Sequence, residues 1–335
     1  MTTTIRKVLI PEFGDESKVT IVTAELPAPA PTEVQVRIMY SGFAGADINM
    51  RRGTYPLQKK APLTPGYCFV GHVVTSGAAS SGFKQGDLVC ALTVYDSEAT
   101  HINVPAKYVV PVPAGMEPKK VAPLLLDWNT AYAMVMDSAK VSAGQKVFIH
   151  GLSGAVGWAV GILSTLQGAM VYGTASPRNH STILAGLPNA TVFDYSNKKW
   201  IQAMKDVGGV DAVFDALAFE SWDESYSILN SKGRLLGYGT NLPALTGGPE
   251  RSAIPTTLKL LSKNLKFWSG KRTTMYYITR DQSTFVPNLK SLFELTMSGK
   301  IDVVVKQIFK LDDVRQAHLT WSKQSGTGSI IIDCA

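Results

Sequence analysis

A glycine-rich turn follows directly on an apolar stretch in the segment "VFIHGLSGAVGWAVGIL". The residues before the turn are typical of a buried strand, and those after it have helical spacing. Glycines allow a tight turn and a close approach of the backbone to a pyrophosphate, to which the start of a helix offers free N–H groups. The spacing is G-x-x-G-x-x-G rather than G-x-G-x-x-G, and we expect the turn to bind a dinucleotide through Gly151, Ser153, Gly154, Ala155, Val156 and Gly157.

The end of the next predicted strand, "YGTASPRNHS", indicates which dinucleotide is bound. NAD sites place an Asp or Glu about 20 residues past the glycines, where it accepts hydrogen bonds from the ribose 2′-hydroxyl. This segment has no acidic residue, and hydroxyl and guanidinium groups suit a 2′-phosphate instead. We therefore expect NADPH, held by Thr174, Ser176 and Arg178, with Tyr195 beside the phosphate or the adenine. The alternative is a polar loop in which the arginine is incidental.

An alternation of strands and helices positions these residues. Strand-like segments "QKVFIHG", "AMVYGTAS", "ATVFDYS" and "VDAVFDAL" alternate with helical ones, which predicts a parallel sheet wound with helices. A later segment, "SYSILNSKGRLLGYGT", supplies a helix end and a further strand. Gly239, Thr240 and Asn241 end or follow this strand, and we expect them to border the nicotinamide.

The first third of the chain has a different pattern. Short apolar runs such as "EVQVRIMYSGF", "FVGHVVTSG" and "GDLVCALTV" are separated by Gly, Pro, Ser and Asp, which predicts a β-rich domain. The segment "KKVAPLLLDWNTAYAMVMDSAK" has helical apolar spacing. Two late helices, "TFVPNLKSLFELTMSGKI" and "LDDVRQAHLTWSKQ", and a final strand, "GSIIIDCA", are expected to return to the first domain.

Composition excludes several classes of function. The chain has 335 residues, of which 45% are hydrophobic and 18% charged, and this length favours two domains. A net charge of +7 is spread along the chain without a basic run, so we expect no nucleic-acid partner. No apolar run approaches 18 residues and no signal core precedes the first strand, so we expect no membrane association. Three scattered cysteines favour a reducing, cytoplasmic location.

Ordered landmarks along nearly the whole chain resemble the medium-chain dehydrogenase/reductase superfamily, and most closely its zinc-independent quinone oxidoreductase branch. The resemblance implies a GroES-like β-rich catalytic domain over residues 1–123 and 268–335, a Rossmann NADPH-binding domain over 124–267, an active site in the cleft between them, and a homodimer. The landmarks are "GADINMRRGTYP", "PGYCFVGHVV", "GDLVCAL", "VPAKYVVPVP", "LLLDWNTAY", "AKVSAGQKVFIHGLSGAVG", "GVDAVFDALA" and "LNSKGRLLGYG".

The positions that carry zinc ligands in the family's zinc enzymes hold Ala44, Tyr67 and Leu126 here. None of these side chains is an ordinary zinc ligand. His72 lies alone in an apolar strand, where a structural histidine is more common than a metal ligand. The sequence therefore predicts that the protein binds no metal.

Without a Lewis acid, oxidation of an alcohol is difficult, whereas hydride donation to a conjugated acceptor remains feasible. The resemblance implies an NADPH-dependent oxidoreductase that reduces a small hydrophobic quinone or the C=C bond of an α,β-unsaturated carbonyl compound. It places Tyr55 over the cleft, where a phenol can bind a carbonyl or deliver a proton, and Thr130 beside the nicotinamide, with Asn129 as a further amide donor. The alternative for Tyr55 is packing beside Pro56.

Some positions depart from the branch. Many quinone reductases carry Asn where this chain has Ala44, a second Tyr at Asn49 and Glu at Cys68. These changes and the aromatic segment leave open a pathway-specific enoyl reductase of natural-product biosynthesis. A different class is a non-catalytic NADPH-binding sensor or structural protein. Cys68 lacks an identifiable base partner and is predicted to be a buried thiol. The aromatic segment 267–277 is expected to form either a substrate wall or a domain interface.

Overall fold

The computed structural model describes residues 2–80, 82–266 and 268–335, which form two compact units. The β-rich unit comprises Met1–Asn129, Thr279–Gln324 and Ser329–Ala335, and the parallel-sheet unit comprises Thr130–Ile278 and Ser325–Gly328. These divisions differ from the predicted boundaries: residues 124–129 belong to the β-rich unit, and residues 268–278 and 325–328 to the parallel-sheet unit. Residue 267, the predicted end of the second domain, lies outside the described residues.

The elements are numbered in chain order. The strands are β1 Thr2–Leu9, β2 Thr20–Pro27, β3 Glu33–Phe43, β4 Cys68–Ser76, β5 Leu88–Leu92, β6 His101–Pro105, β7 Val110–Pro111, β8 Lys146–His150, β9 Met170–Ala175, β10 Thr191–Asp194, β11 Val210–Asp215, β12 Leu229–Gly237, β13 Arg272–Met275, β14 Val305–Lys310 and β15 Ser329–Asp333. The α-helices are α1 Gly45–Arg52, α2 Pro118–Pro123, α3 Asn129–Tyr132, α4 Ala155–Leu166, α5 His180–Gly186, α6 Lys199–Asp206, α7 Glu220–Ser227, α8 Leu242–Thr246, α9 Ala253–Ser262, α10 Phe285–Met297 and α11 Val314–Thr320.

The β-rich unit is built on a largely antiparallel sheet. Its strand order is β14-β15-β3-β4-β5-β7, with β6 also paired to β3, and β1 and β2 form a separate hairpin. The long strand β3 holds the sheet together, since Val36 is opposite Val73 of β4 and Gly42 is opposite Ile331 of β15. The C-terminal strand therefore closes the N-terminal domain, as predicted, and the predicted GroES-like β-rich fold is confirmed.

The parallel-sheet unit has the strand order β10-β9-β8-β11-β12-β13, and its neighbouring strands are all parallel within the described residues. Helices connect the strands, and the predicted Rossmann fold is confirmed. Large aromatic side chains fill one face of the sheet: Trp200 of α6 stacks on Phe148 of β8 with ring centroids 4.9 Å apart, and Trp222 of α7 is 2% exposed.

The predicted helix over "KKVAPLLLDWNTAYAMVMDSAK" is observed as a helical run of mixed pitch. Two π-helical stretches, Leu124–Trp128 and Ala133–Ala139, flank α3. Pro123 lies inside the run, and because proline cannot donate to the hydrogen-bond ladder, the helix widens immediately after it. Apolar periodicity predicted the helix but carries no information on this change of pitch.

Among the described residues, no helix combines the length and the apolar character needed to cross a bilayer.

The aromatic stack beneath β8 predicts a large contribution of Trp200 to stability, because its side chain is 1% exposed. Trp200→Ala should lower the free energy of unfolding by about 3–5 kcal/mol, through lost burial and an unfilled cavity. Urea unfolding followed by circular dichroism measures this change. Leu184→Ala, at a 41% exposed position of the same unit, is the control and should cost under about 0.5 kcal/mol. Equal losses in the two variants would contradict this packing.

Candidate active site and cofactor-binding turn

The glycine-rich turn joins β8 to α4 at the carboxyl end of the parallel strands. Gly151 has a φ of 69°, a left-handed conformation that favours glycine. A Cβ on Gly157 would lie 2.3 Å from the Gly151 carbonyl oxygen, so only glycine fits where α4 crosses the turn. Gly154 is the N-cap of α4 and provides no side-chain hydrogen bond to the first helical turn. Uncapped N–H groups at a helix N-terminus form a suitable site for a phosphate anion.

Asn179 links Ser153 of this turn to Gly326, a role that was not predicted from the sequence. It is 4% exposed, and its Nδ2 donates to Ser153 Oγ at 3.1 Å. Its Oδ1 accepts from the backbone N–H of Gly326 at 3.0 Å, and Gly328 N–H donates to the Ser153 carbonyl oxygen at 3.3 Å. An asparagine in a polar loop carries no sequence signal for such a bridge, because Gly326 lies almost 150 residues further along the chain.

The predicted 2′-phosphate residues differ in their exposure. Arg178 is exposed, Ser176 is half-buried and Tyr195 is 62% exposed. Thr174 is 2% exposed, and its hydroxyl lies inward, 3.4 Å from Gly151 N and 3.3 Å from His150 Nδ1. The hydroxyl of Thr174 is therefore used within the fold.

The neighbouring strand carries an acid that was not among the predicted cofactor residues. Asp194 of β10 is opposite Ala175 of β9. Its Oδ1 accepts from Ser196 N–H at 2.9 Å, and this bonding lowers the pKa of the carboxyl. The carboxylate is thus already bound by its own loop.

The segment after β12 contacts the loop after β11. Asn241 N–H donates to the Ala216 carbonyl oxygen at 3.0 Å, and Thr240 is 6% exposed. A Cβ on Gly239 would lie 2.8 Å from the same carbonyl oxygen. Gly239, Thr240 and Asn241 are therefore held at the carboxyl end of the parallel sheet, the edge at which Rossmann folds bind their cofactor.

Tyr55 forms a pair with Tyr67 in the β-rich unit. The Tyr55 hydroxyl donates to the Tyr67 hydroxyl at 2.8 Å, and the two rings meet edge to face with centroids 6.0 Å apart. Tyr55 is half-buried and follows α1, whereas Tyr67 is 2% exposed and directly precedes β4. From the sequence, Tyr67 was identified only as the residue at a zinc-ligand position, and the phenol pair was not predicted.

The residues at the three family zinc positions do not fit a zinc ion. Ala44 is the N-cap of α1, Leu126 lies in a π-helical stretch, and the Tyr67 phenol is bonded to Tyr55. No group of three or more His, Cys, Asp or Glu side chains could hold a metal ion in the described part of the chain. Neutral apolar and phenolic groups at these positions lack the donor set that zinc requires.

Asn129 and Thr130 lie at the start of α3. The Asn129 side chain donates through Nδ2 to the Phe285 carbonyl oxygen at 3.1 Å and is 1% exposed. The Thr130 hydroxyl is buried and has no hydrogen-bond partner within the described residues. A buried unpaired hydroxyl is costly and normally has a partner, so this group is suited to bind a ligand.

Three carboxyl groups are buried near α1. Asp47 accepts from the N–H groups of Ala44 at 2.9 Å and Gly66 at 3.1 Å, and burial raises its pKa to about 7. Burial also raises the pKa of Asp127 to about 6 and raises that of Glu98, which the charge of Asp47 raises further. Through its bonds to the Ala44 and Gly66 N–H groups, Asp47 holds the loop before α1 to the turn before β4.

Cys68 lies in the same region as these carboxyl groups. Its thiol is fully buried and contacts the Ala122 carbonyl oxygen at 3.4 Å. Burial, together with the charge of Asp127, raises the pKa of the thiol. A raised pKa disfavours the thiolate that a nucleophile needs, which agrees with the predicted structural role.

The aromatic residues on either side of β13 are partly exposed. Trp268 is 73% exposed and Tyr277 is 41% exposed. Tyr276 is half-buried, and burial raises the pKa of its phenol to about 12. Phe267 lies outside the described residues.

Two family descriptions match the chain: "Alcohol dehydrogenase GroES-like domain" over residues 30–114 and "Zinc-binding dehydrogenase" over residues 189–332. The synaptic vesicle membrane protein VAT-1 homolog of Rattus norvegicus is 30% identical, over 98% of this chain and 84% of the relative. A probable quinone oxidoreductase of Schizosaccharomyces pombe is 27% identical, over 98% of this chain and 96% of the relative.

Solved structures share the fold over nearly the full length. The Escherichia coli quinone oxidoreductase complexed with NADPH superposes with a TM-score of 0.85 at 21% identity, covering 98% of this chain and 99% of that one. The human VAT-1 homolog-like protein gives a TM-score of 0.82 at 24% identity and covers 98% of each chain. The chain therefore belongs to the medium-chain dehydrogenase/reductase superfamily of oxidoreductases, in the branch of the quinone oxidoreductases and VAT-1 homologs.

Proposed function

We propose that this chain is a zinc-independent, NADPH-dependent reductase that transfers hydride to a quinone or to the C=C bond of an α,β-unsaturated carbonyl compound. The observation that carries the proposal is the glycine-rich turn between β8 and α4, where only glycine fits at position 157. Its crowded backbone and uncapped helix start form a cradle for a pyrophosphate. Relatives named as quinone oxidoreductases, and two structural neighbours solved with NADPH, support the same assignment.

The charge pattern after β9 supports NADPH over NADH. Exposed Arg178 and half-buried Ser176 provide a guanidinium and a hydroxyl near the position expected for the 2′-phosphate. The nearest acid on the adjacent strand, Asp194, is bonded to Ser196 N–H and so is less available to a ribose hydroxyl. A guanidinium and a hydroxyl at this position favour a phosphate over a free ribose hydroxyl.

The absence of zinc ligands at the family positions limits the substrates. A bound NADPH would supply the hydride, and the acceptor must stabilise the resulting negative charge without a Lewis acid. Quinones and enones do so by conjugation onto a carbonyl oxygen. Hydrogen-bond donors placed at that oxygen are then the main contribution that the protein can make.

Two groups of the chain have this chemistry. The Thr130 hydroxyl, buried and unpartnered among the described residues, is assigned to the nicotinamide, which Asn129 helps to position through its bond to Phe285 O. Tyr55 is assigned as hydrogen-bond donor to the substrate carbonyl or as the proton source. In this structure the single hydroxyl proton of Tyr55 is donated to Tyr67, so donation to a substrate carbonyl requires the Tyr55 hydroxyl to turn. The Tyr67 hydroxyl can then donate its own hydrogen bond to the Tyr55 oxygen.

A homodimer is the assembly we propose. Ile254, Leu258 and Leu261 lie four and three residues apart on α9, so they share one helix face, and they are 70%, 63% and 41% exposed. The neighbouring strand β13 is an edge strand of the parallel sheet. Exposed apolar residues beside an edge strand are typical of a surface that pairs with a second subunit.

The cofactor assignment predicts a selective effect of Arg178→Ala. Loss of charge-assisted bonds to a phosphate should raise the KM for NADPH by roughly ten- to hundredfold and leave the KM for NADH unchanged. Steady-state oxidation of both cofactors with a panel of quinones, enones and enals measures this. Lys205→Ala, in the same unit but at the end of α6, is the matched loss of charge. Comparable efficiency of the wild-type protein with NADH would contradict the assignment.

The role of the phenol pair is tested by comparing two Tyr→Phe variants. Tyr55→Phe should lower kcat for an enone by at least about tenfold, because the group at the substrate is lost. Tyr67→Phe keeps the ring and removes only the partner hydroxyl, so kcat should fall less. Single-turnover measurements separate hydride transfer from product release. A wild-type kcat in Tyr55→Phe would show that Tyr55 has only a packing role. NADPH binding by the wild-type protein without turnover of any acceptor would favour a non-catalytic protein.

The proposed dimer predicts that Leu258→Glu yields a monomer, because a charge would be buried in the interface. Light scattering coupled to size-exclusion chromatography measures the mass at matched concentrations. Leu184→Glu, which introduces the same charge at a 41% exposed position of α5, should leave the dimer intact. A monomeric wild-type protein would refute this assembly.

A further inference from the structure

A buried chain of polar side chains runs beneath the glycine-rich turn, from the end of β9 to the end of β11. His150, the last residue of β8, lies at its centre and is 5% exposed. Its Nδ1 is 3.3 Å from Thr174 Oγ1, and its Nε2 is 3.0 Å from Ser225 Oγ. Asp215, at the end of β11, is 0% exposed and lies beyond Ser225.

The donors and acceptors of this chain can be assigned by counting protons. Asp215 Oδ2 accepts from both Ser221 Oγ and Ser225 Oγ, each at 2.7 Å. Because Ser225 has a single hydroxyl proton and gives it to Asp215, its oxygen must accept from His150 Nε2–H. A neutral imidazole then has a bare Nδ1, which accepts from the Thr174 hydroxyl. Thr174 Oγ1 in turn accepts from Gly151 N–H at 3.4 Å.

The surroundings disfavour protonation of His150. Burial lowers the pKa of the imidazole, against the opposing fields of Asp215 and Glu224, while Lys198 adds to the lowering. The rings of Phe148 and Trp200 contact the imidazole edge to face, with centroids 5.2 and 5.0 Å away. An apolar enclosure of this kind disfavours a second proton on the ring.

Both ends of the chain reach segments assigned to the cofactor. At one end, Thr174 holds the turn through two hydrogen bonds. Gly151 N–H donates to the Thr174 hydroxyl, and Leu152 N–H donates to the Thr174 carbonyl oxygen at 2.9 Å. At the other end, Asp215 Oδ1 accepts from Leu217 N–H at 2.7 Å, and this loop receives the N–H of Asn241 on the Ala216 carbonyl oxygen. A continuous set of hydrogen bonds thus links the glycine-rich turn to the segment 239–241.

We infer that His150, Ser225 and Thr174 are positioning residues for the cofactor. They hold the glycine-rich turn in its binding conformation through hydrogen bonds whose donor-to-acceptor direction is fixed by Asp215. The inference rests on the proposed cofactor site and names the residues that set its geometry. Thr174 acts here through Gly151, not through a side-chain contact with the 2′-phosphate. Loss of one bond in the chain frees the turn to move and lowers the affinity for the dinucleotide.

A pair of serine variants separates this role from ordinary stability. Ser225→Ala and Ser221→Ala each remove one hydroxyl bond to the same oxygen of Asp215, and only Ser225 also contacts His150. Measured by fluorescence titration of the NADPH-free protein, Ser225→Ala should raise the Kd for NADPH about three- to tenfold. Ser221→Ala should change this Kd by less than about twofold at a similar loss of melting temperature. Equal Kd values in the two variants would overturn the inference.

Thr174 offers a second test that keeps side-chain volume. Thr174→Val should weaken NADPH binding as much as Ser225→Ala does, and Thr174→Ser should restore most of the affinity. A failure of Thr174→Ser to bind better than Thr174→Val would refute the role of the hydroxyl.

The proton order can be measured without cofactor. Nitrogen NMR of ¹⁵N-histidine-labelled apo protein at pH 6.5 should show a neutral His150 ring with its proton on Nε2. A proton on Nδ1, or a charged ring, would overturn the assignment. This result does not depend on NADPH, so a wild-type protein that fails to bind NADPH would refute the proposed function and leave the network testable.

Discussion

Backbone crowding at the first turn of α4 determines how this chain can bind a cofactor. A Cβ on Gly157 would lie 2.3 Å from the Gly151 carbonyl oxygen, so the start of α4 approaches the turn after β8 more closely than any side chain at position 157 would allow. The helix therefore starts at the carboxyl edge of the sheet with no side chain capping its first turn. Asn179 and Thr174 both form hydrogen bonds with the turn and hold this crowded backbone in place.

In the β-rich unit, the side chains at the candidate site limit the chemistry that the protein can perform. Apolar and phenolic side chains occupy the positions at which zinc enzymes of the superfamily place ligands, and Tyr67 is bonded to Tyr55. A protein with these residues has hydrogen bonds and proton transfer to offer, and no donor set for a Lewis acid. The buried Thr130 hydroxyl, unpartnered in the described residues, is a further polar group that a ligand can satisfy. These features favour acceptors that carry their own conjugation.

Local patterns in the sequence predicted the parallel sheet, the β-rich first domain and the glycine turn, because a strand, a glycine spacing and a helix are all encoded within a few residues. The GroES-like fold was predicted from the resemblance to the superfamily. The long-range partners were not predictable in this way. Asn179 bonds to Gly326, and Tyr55 to Tyr67, through contacts that no local pattern records. Periodicity also could not distinguish α from π pitch after Pro123, and it left the short strand β13 unassigned because four residues give too little alternation. Thr174 was recognised as polar, but its burial could not be read from its type.

The most direct test of the central claim follows the hydride itself. NADPH carrying deuterium at the transferable position is incubated with the protein and a panel of enones, and the products are analysed by mass spectrometry. The proposed reaction predicts a saturated carbonyl product with one deuterium at the β-carbon, and loss of this product in Gly157→Ala, whose added Cβ cannot fit beside Gly151. Saturated product without deuterium, or NADPH binding with no reduction of any enone or quinone, would contradict the account.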